Sequence, residues 1–215
     1  MFSVLFPGQG SQIVGMANDF HENFEYVKEY FSTADEILKK NLSKIILNGP
    51  KEDLEKTENT QPAIFLVSFS IYKVIEQETN FNLKNAKFYA GHSLGEYSAL
   101  CCADSLTFEQ TINLLKYRGS SMQNAVKHGE GGMVAILGAN ISDINEILDI
   151  NKKNFTCYIA NDNSVGQIVV SGRMENLELL CLELKKKNYK YIKLPVSSPF
   201  HCPLMKNATD VMKHK

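Results

Sequence analysis

Apolar side chains along the chain fall into short continuous runs, separated by longer stretches in which they recur every three or four residues. The first pattern predicts buried strands and the second predicts helices with one face in a core. Phe2 to Phe6 is a short run that meets Pro7, Gly8 and Gly10, so it reads as a strand closed by a turn. From Asn23 to Leu38, the side chains of Phe24, Val27, Phe31, Ala34 and Leu38 take helical spacing. Gln61 to Glu78 is apolar on nearly every side and predicts a more deeply buried helix. A short strand is expected at 87–90, stopped by Gly91, with helices at 94–103 and about 107–126 after it.

The pattern changes at Gly129, Gly131 and Gly132, which read as a flexible junction. Beyond them the chain predicts a strand at 133–137, a helix at 141–149, strands at 155–160 and 167–171, a helix at 174–187 and a strand at 190–195. Asn161 to Gly166 supplies the turn between the middle strands. The order β-α-β-β-α-β is that of the ferredoxin-like arrangement. The expected fold is therefore α/β, with a main body formed by residues 1–128 and 197–215 and a ferredoxin-like subdomain at 129–196 inserted into it.

Composition narrows the function classes. The chain has 215 residues, 44% apolar and 22% charged, with a formal net charge of -1. That balance is ordinary for a globular protein and offers no global attraction to nucleic acid or to an anionic membrane. Lys185, Lys186 and Lys187 form a short basic run that reads as a solvated helix end. No apolar run is long enough to span a bilayer, and no basic segment precedes the opening strand as a signal peptide requires. The five cysteines form no Cys-x-x-Cys pair. This argues against a disulfide framework or a zinc cluster and for a reducing compartment, so a cytoplasmic location and no metal are expected.

Four segments carry candidate chemistry. Gly91-His92-Ser93-Leu94-Gly95 fits G-x-S-x-G, with a strand before it and a helix after it. That turn exposes the serine hydroxyl as a nucleophile, and the helix N-terminus aims amides at the reacting centre. A tight turn with a capping serine is the plainer reading. Phe6 to Gln12 is a glycine-rich turn after the first strand. One oxyanion donor in such a site is the N–H after the nucleophile, here Leu94, and the second comes from another loop, for which Gln9 is the candidate. A purely structural turn fits those residues as well.

Arg118 follows Leu115 by three residues and precedes Met122 by four, on an inward stripe that includes Phe108, Ile112 and Val126. A cation there needs an anionic partner. The partner is either an internal Asp or Glu or the carboxylate of a substrate held by the guanidinium fork. His201 lies in Ser197-Ser198-Pro199-Phe200-His201-Cys202-Pro203, a loop held between prolines. A lone histidine is most often structural, but a nucleophilic serine needs a base. His21 and His128 lie in polar segments, His214 is near the terminus and His92 points elsewhere on the turn, which leaves His201.

Taken together, Phe-Pro-Gly-Gln-Gly-Ser-Gln at 6–12, Gly-His-Ser-Leu-Gly-Glu-Tyr at 91–97, Tyr117-Arg118-Gly119 and Pro199-Phe200-His201 resemble the malonyl-CoA:acyl carrier protein transacylase family, in order and over the whole chain. So does 161–172, which ends in Gly-Gln-Ile-Val-Val-Ser-Gly. The resemblance implies an α/β-hydrolase-like body carrying the ferredoxin-like subdomain. It implies an [acyl-carrier-protein] S-malonyltransferase, in which Ser93 takes the malonyl group from malonyl-CoA and passes it to the phosphopantetheine thiol of acyl carrier protein. His201 acts as base, the N–H groups of Leu94 and Gln9 hold the oxyanion, and Arg118 pairs with the malonyl carboxylate. No cofactor of the protein's own is implied, and a monomer is expected, serving fatty acid or polyketide synthesis. Phe200 and Leu94 look like the malonyl-selective members.

Two positions depart from the family pattern: Val165 stands where many members have proline, and Ser198 where many have alanine. Members of the family also continue well past the equivalent of Lys215. There they contribute a further glutamine and a carbonyl that orients the histidine, so the chain looks C-terminally truncated. Two other classes compete. An esterase would share G-x-S-x-G but should show an acidic residue in a strand-end loop between Ser93 and His201, and it gives Arg118 no role. A non-catalytic module that binds a carrier protein would form no acyl-enzyme.

Overall fold

In the computed structural model, residues 1–127, 129–196 and 198–215 are described. In chain order the elements are β1 (Ser3–Phe6), α1 (Asn18–Asn23), α2 (Glu25–Leu38), α3 (Leu42–Asn48), α4 (Lys51–Leu54), α5 (Thr57–Glu78), β2 (Phe88–Gly91), α6 (Gly95–Cys102) and α7 (Phe108–Gln123). They continue with β3 (Gly131–Leu137), α8 (Ile141–Asn151), β4 (Cys157–Ser164), β5 (Gln167–Arg173), α9 (Met174–Lys186), β6 (Lys190–Lys193) and α10 (Lys206–Met212). The chain is thus α/β, as expected. Contacts gather it into two compact units, Met1–Ser120 and Ser121–Lys215, which divide near the end of α7.

In the first unit β1 and β2 pair in parallel, Ser3 opposite Phe88 and Phe6 opposite Gly91. The core gathers round α5, whose Ala63, Phe65 and Leu66 are fully buried, as the all-round apolar pattern requires. Phe31 of α2 and Ile112 and Leu115 of α7 close on it. The N-terminus of α5 differs from the expectation. The helix begins at Thr57, four residues before Gln61, although Thr57, Asn59, Thr60 and Gln61 are polar and buried. Local bonds make that turn affordable: Thr60 Oγ1 donates to the Leu54 carbonyl at 2.6 Å and Asn59 Nδ2 to the Asp53 carbonyl at 2.7 Å. β1 and α5 also flank an apolar groove of about 380 Å³, lined by Val4, Phe6, Ile13, Val67 and Ile71 among others.

In the second unit the sheet order is β4-β5-β3-β6, antiparallel throughout. The period-two pattern of β3 and β5 splits their side chains between two cores. Val134, Ile136, Ile168 and Val170 pack with Ile144 and Ile147 of α8 and Leu177 and Leu180 of α9. Met133, Ala135 and Val169 face the other way, with Met122, Phe200, Met205 and Ala208.

Several boundaries are corrected. Gly131 and Gly132 are no flexible junction but the first residues of β3, both buried. A Cβ on Gly131 would lie 2.5 Å from the Pro199 ring, so glycine serves close packing there. The turn expected over Asn161 to Gly166 shrinks to Val165 and Gly166. β4 runs on to Ser164 despite its polar residues, because pairing with β5 carries it through two register shifts. β6 stops at Lys193; the Leu194 N–H still donates to the Met133 carbonyl at 2.9 Å, while the side chains of Leu194 and Val196 pack against the Phe200 cluster. α7 stops at Gln123 rather than at 126, α2 starts after a separate short α1, and the chain between 39 and 56 forms α3 and α4. His128 and Ser197 lie outside the described residues.

Candidate active site

Ser93 sits between β2 and α6 with φ 56°, the left-handed region that an L-residue rarely adopts. Its neighbours explain how the chain tolerates this. A Cβ on Gly91 would fall inside the Gly95 carbonyl group, and a Cβ on Gly95 would lie 2.5 Å from the Phe6 carbonyl oxygen and 2.7 Å from that of Pro7. The two glycines of the motif therefore let the elbow fold on itself and let the loop after β1 lie against the start of α6. Gly8 repeats the device, since a Cβ there would meet His92 Nδ1 at 2.5 Å. Leu94 is buried and caps α6 from its N-terminal side, with Ser93 directly before it.

The loop that carries Gln9 holds its own shape. The Gly10 N–H donates to Gln12 Oε1 at 2.8 Å, and Ser11 Oγ donates to the Gly8 carbonyl at 2.9 Å. The Gln9 side chain turns to α5, where its Nε2 donates to Thr57 Oγ1 at 3.4 Å. Ser93, Leu94, Gln9 and Arg118 all belong to the first unit.

The half-buried Arg118 guanidinium donates from Nη1 to Gln61 Oε1 at 2.8 Å and from Nη2 to Ser93 Oγ at 3.1 Å. The Tyr97 ring lies under it, with 5.6 Å from Cζ to the centroid. Among the described residues Arg118 forms no ion pair, so the internal Asp or Glu that a buried cation would ordinarily find is replaced by a neutral amide and a hydroxyl. Burial pushes the Arg118 pKa below its ordinary value, opposed by Tyr97 and by the charge of Glu96. Arginine nonetheless stays protonated near neutral pH. The site thus presents a partly desolvated positive charge beside the hydroxyl of a serine with a strained backbone, a geometry suited to an acyl group that carries its own carboxylate.

The sequence pattern alone does not mark Gln61 as a site residue. It read as the first residue of an apolar helix, and a glutamine at a helix start has no visible partner until the fold brings α7 beside it. One signal was available, a run of polar residues (Thr57, Asn59, Thr60, Gln61) that a wholly buried helix has no reason to contain unless each is bonded.

His201 belongs to the second unit and is exposed, with φ 57°. Its loop is fixed from both sides. Phe200 is buried in the cluster beneath the sheet, and Ser171 Oγ of β5 donates a short hydrogen bond to the Phe200 carbonyl. The Phe200 N–H donates to the Ser198 carbonyl at 3.1 Å, and Cys202 Sγ to the Pro199 carbonyl at 3.0 Å. A 3-10 turn at Pro203–Met205 then leads into α10. Ser93 and His201 are two of only a few non-glycine residues held at positive φ among those described, a form of strain that concentrates at functional positions.

Among the described residues no group of three His, Cys, Asp or Glu side chains could hold a metal ion. All five cysteines are free thiols. No helix among the described residues is long and apolar enough to cross a membrane.

A family model described as the acyl transferase domain matches residues 4–215. The malonyl CoA-acyl carrier protein transacylase of Bacillus subtilis is 40% identical over 97% of the chain, which spans 65% of that relative's length. The acyl-carrier-protein-S-malonyltransferase of Bartonella henselae, a crystal structure, superposes with a TM-score of 0.94 at 43% identity, over 100% of this chain and 69% of that one. A malonyl-transacylase solved in complex with its type II PKS acyl-carrier protein matches 98% of the chain at 38% identity, with a TM-score of 0.92 and 68% of its own length covered. The chain spans about two thirds of the length of these relatives, and it belongs to the acyl transferase domain family, in the branch of the malonyl CoA-acyl carrier protein transacylases.

Proposed function

We propose that the protein transfers a malonyl group from malonyl-CoA to the phosphopantetheine thiol of acyl carrier protein, through a malonyl ester on Ser93. The observation that carries this reading is the guanidinium of Arg118, held by the neutral Gln61 with its second nitrogen 3.1 Å from Ser93 Oγ. An acyl group attached at Ser93 and bearing a free carboxylate can meet that charge, whereas an acetyl group leaves it unpaired.

In the first step Ser93 Oγ attacks the thioester carbon while His201 takes the hydroxyl proton. The backbone N–H groups of Leu94 and Gln9 stabilise the oxyanion. The tetrahedral species collapses with loss of coenzyme A, whose sulfur receives the proton from His201. In the second step the thiol of acyl carrier protein gives its proton to His201 and attacks the ester carbonyl. Ser93 leaves and recovers the proton, so the cycle balances with no metal or prosthetic group of the protein's own.

We also read the β3–α8–β4–β5–α9–β6 portion as a ferredoxin-like subdomain over 129–196. The element order and the strand order β4-β5-β3-β6 support this. A cytoplasmic monomer is the matching cellular form, and five free thiols are consistent with a reducing compartment. The test is transfer of labelled malonyl from malonyl-CoA to phosphopantetheinylated acyl carrier protein. Label should reach the carrier with the native chain and not with Ser93→Ala, and label that reaches it equally well with Ser93→Ala would refute the scheme.

A further inference from the structure

We propose that Ser171 is a positioning residue for His201: its buried hydroxyl, carried by β5, fixes the Phe200 carbonyl and with it the left-handed backbone that presents the imidazole. This rests on the reading of His201 as the base.

β5 is an inner strand of its sheet, paired with β4 on one side and with β3 on the other. Ser171 stands opposite Met133 of β3 and Tyr158 of β4. Opposed residues share a face, so Ser171 points with Met133 and Val169 towards the cluster that holds Phe200. It is fully buried, a hydroxyl on an otherwise apolar face. A buried hydroxyl costs stability unless it is bonded, and this one donates to the Phe200 carbonyl.

That carbonyl belongs to the peptide unit that joins Phe200 to His201. The unit is planar, so an anchored carbonyl also fixes the direction of the His201 N–H. The bond therefore acts on the φ torsion of His201, which stands at 57°. A residue with a side chain keeps such a torsion only where its surroundings over-determine it. Other contacts hold the neighbouring residues. A Cβ on Gly131 of β3 would stand 2.5 Å from the Pro199 ring, so strand and proline lie in close contact. The buried Ser198 Oγ donates to the Gln123 carbonyl, at the end of α7, at 3.4 Å. Cys202 Sγ donates to the Pro199 carbonyl at 3.0 Å. The Ser171 bond, in contrast, reaches the peptide unit of His201 itself. His201 is exposed, so the path of its backbone decides where the ring stands. A base displaced by a fraction of an ångström slows proton transfer and leaves thioester binding intact.

The experiment follows a single round of Ser93 loading at increasing malonyl-CoA, which gives a saturating rate, a half-saturating concentration and an amplitude. Ser171→Ala should lower the saturating rate about 10-fold and change half-saturation by less than about twofold. Ser171→Thr keeps the hydroxyl on a strand that favours a branched side chain, and should recover the rate to within about threefold of the native chain. Val170→Ala is the control, since Val170 lies on the same strand and packs on the opposite face with α8 and α9. It should lower the melting temperature at least as far as Ser171→Ala and leave the saturating rate unchanged. A serine that merely stabilises the fold would lower the amplitude, which counts folded molecules, and not the rate. A native saturating rate in Ser171→Ala, or an equal fall in Val170→Ala, overturns the inference. If Ser171→Ala does not fold, Ser171→Cys carries the test, because a thiol is a weaker donor of nearly the same size. Its rate should fall about threefold, and an unchanged rate overturns the inference. His201→Ala separates the two readings and should lose loading about 100-fold or more. If it loads at the native rate, the base reading and this inference fail together. If it is inactive while Ser171→Ala loads at the native rate, only the role of Ser171 fails.

Discussion

Replacing Arg118 by alanine removes the positive charge beside Ser93, and the structure sets the size of the effect. The guanidinium offers two nitrogens on one edge, one committed to Gln61 at 2.8 Å and the other directed at Ser93 at 3.1 Å. A carboxylate on the Ser93 ester can take a charge-assisted bond from the second nitrogen and shares the field of the whole cation. Such bonds contribute about 1.5–3 kcal/mol each, more where water is excluded. With one bond and the partly screened charge, Arg118→Ala should cost about 3–4 kcal/mol in the transition state for malonyl. That corresponds to a fall of about 100-fold to 1000-fold in kcat/KM, at roughly 1.4 kcal/mol per factor of ten.

Acetyl-CoA has no carboxylate to lose, so its loading should fall little or rise, and the selectivity should invert. The variant also leaves Gln61 Oε1 buried without this donor, which lowers unfolding stability by about 1–3 kcal/mol. Melting curves therefore accompany the kinetics, and loading rates are read by intact-protein mass at several times after mixing with each thioester. If Arg118→Ala lost malonyl and acetyl loading by the same factor in a folded sample, the carboxylate clamp would be wrong.

Other consequences are more local. Gly95→Ala places a Cβ 2.5 Å from the Phe6 carbonyl oxygen and should lower stability by about 1–3 kcal/mol in chemical denaturation, with loss of loading at Ser93; a variant as stable as the native chain would mean that the loop after β1 does not lie against α6. Ser171→Ala removes the donor to the Phe200 carbonyl, and should cost about 1–2 kcal/mol and slow loading about 10-fold through the displaced His201 loop; an unchanged loading rate would separate that loop from the chemistry. Burial pushes the Cys157 thiol from 9.0 up to about 12. The unfolded chain gives up this proton first, so the stabilisation present below pH 9 is lost as pH rises towards 12. Cys157→Ala should therefore flatten the fall in unfolding free energy between about pH 9 and 11, and an unaltered slope would exclude the thiol as its source.

The sequence made the two periodicities legible because they reflect strong local physics. The alternation in β3 and β5 places Val134 and Met133 in different cores, and the helical stripe of α7 brings Ile112, Leu115 and Met122 inward. The glycines of the elbow were readable for the same reason, since each marks a backbone contact that a Cβ would block. What escaped was decided by tertiary partners. Polar Asn161 and Asp162 join β4 because β5 is there to pair with them, and β6 ends before Leu194, whose side chain packs against the Phe200 cluster. Gln61 could not be read as a site residue, because its meaning lies in Arg118, more than fifty positions away in sequence. The possibility that Arg118 pairs with an internal carboxylate was fair on sequence alone, and only the fold shows an amide in that place.

The most direct test of the account is the intact mass of the chain after mixing with malonyl-CoA, followed by peptide mapping, beside Ser93→Ala. The account predicts a gain of one malonyl group carried by the peptide that contains Ser93, and no gain in the variant. No gain in a folded native sample, or a gain that persists in Ser93→Ala, would contradict it.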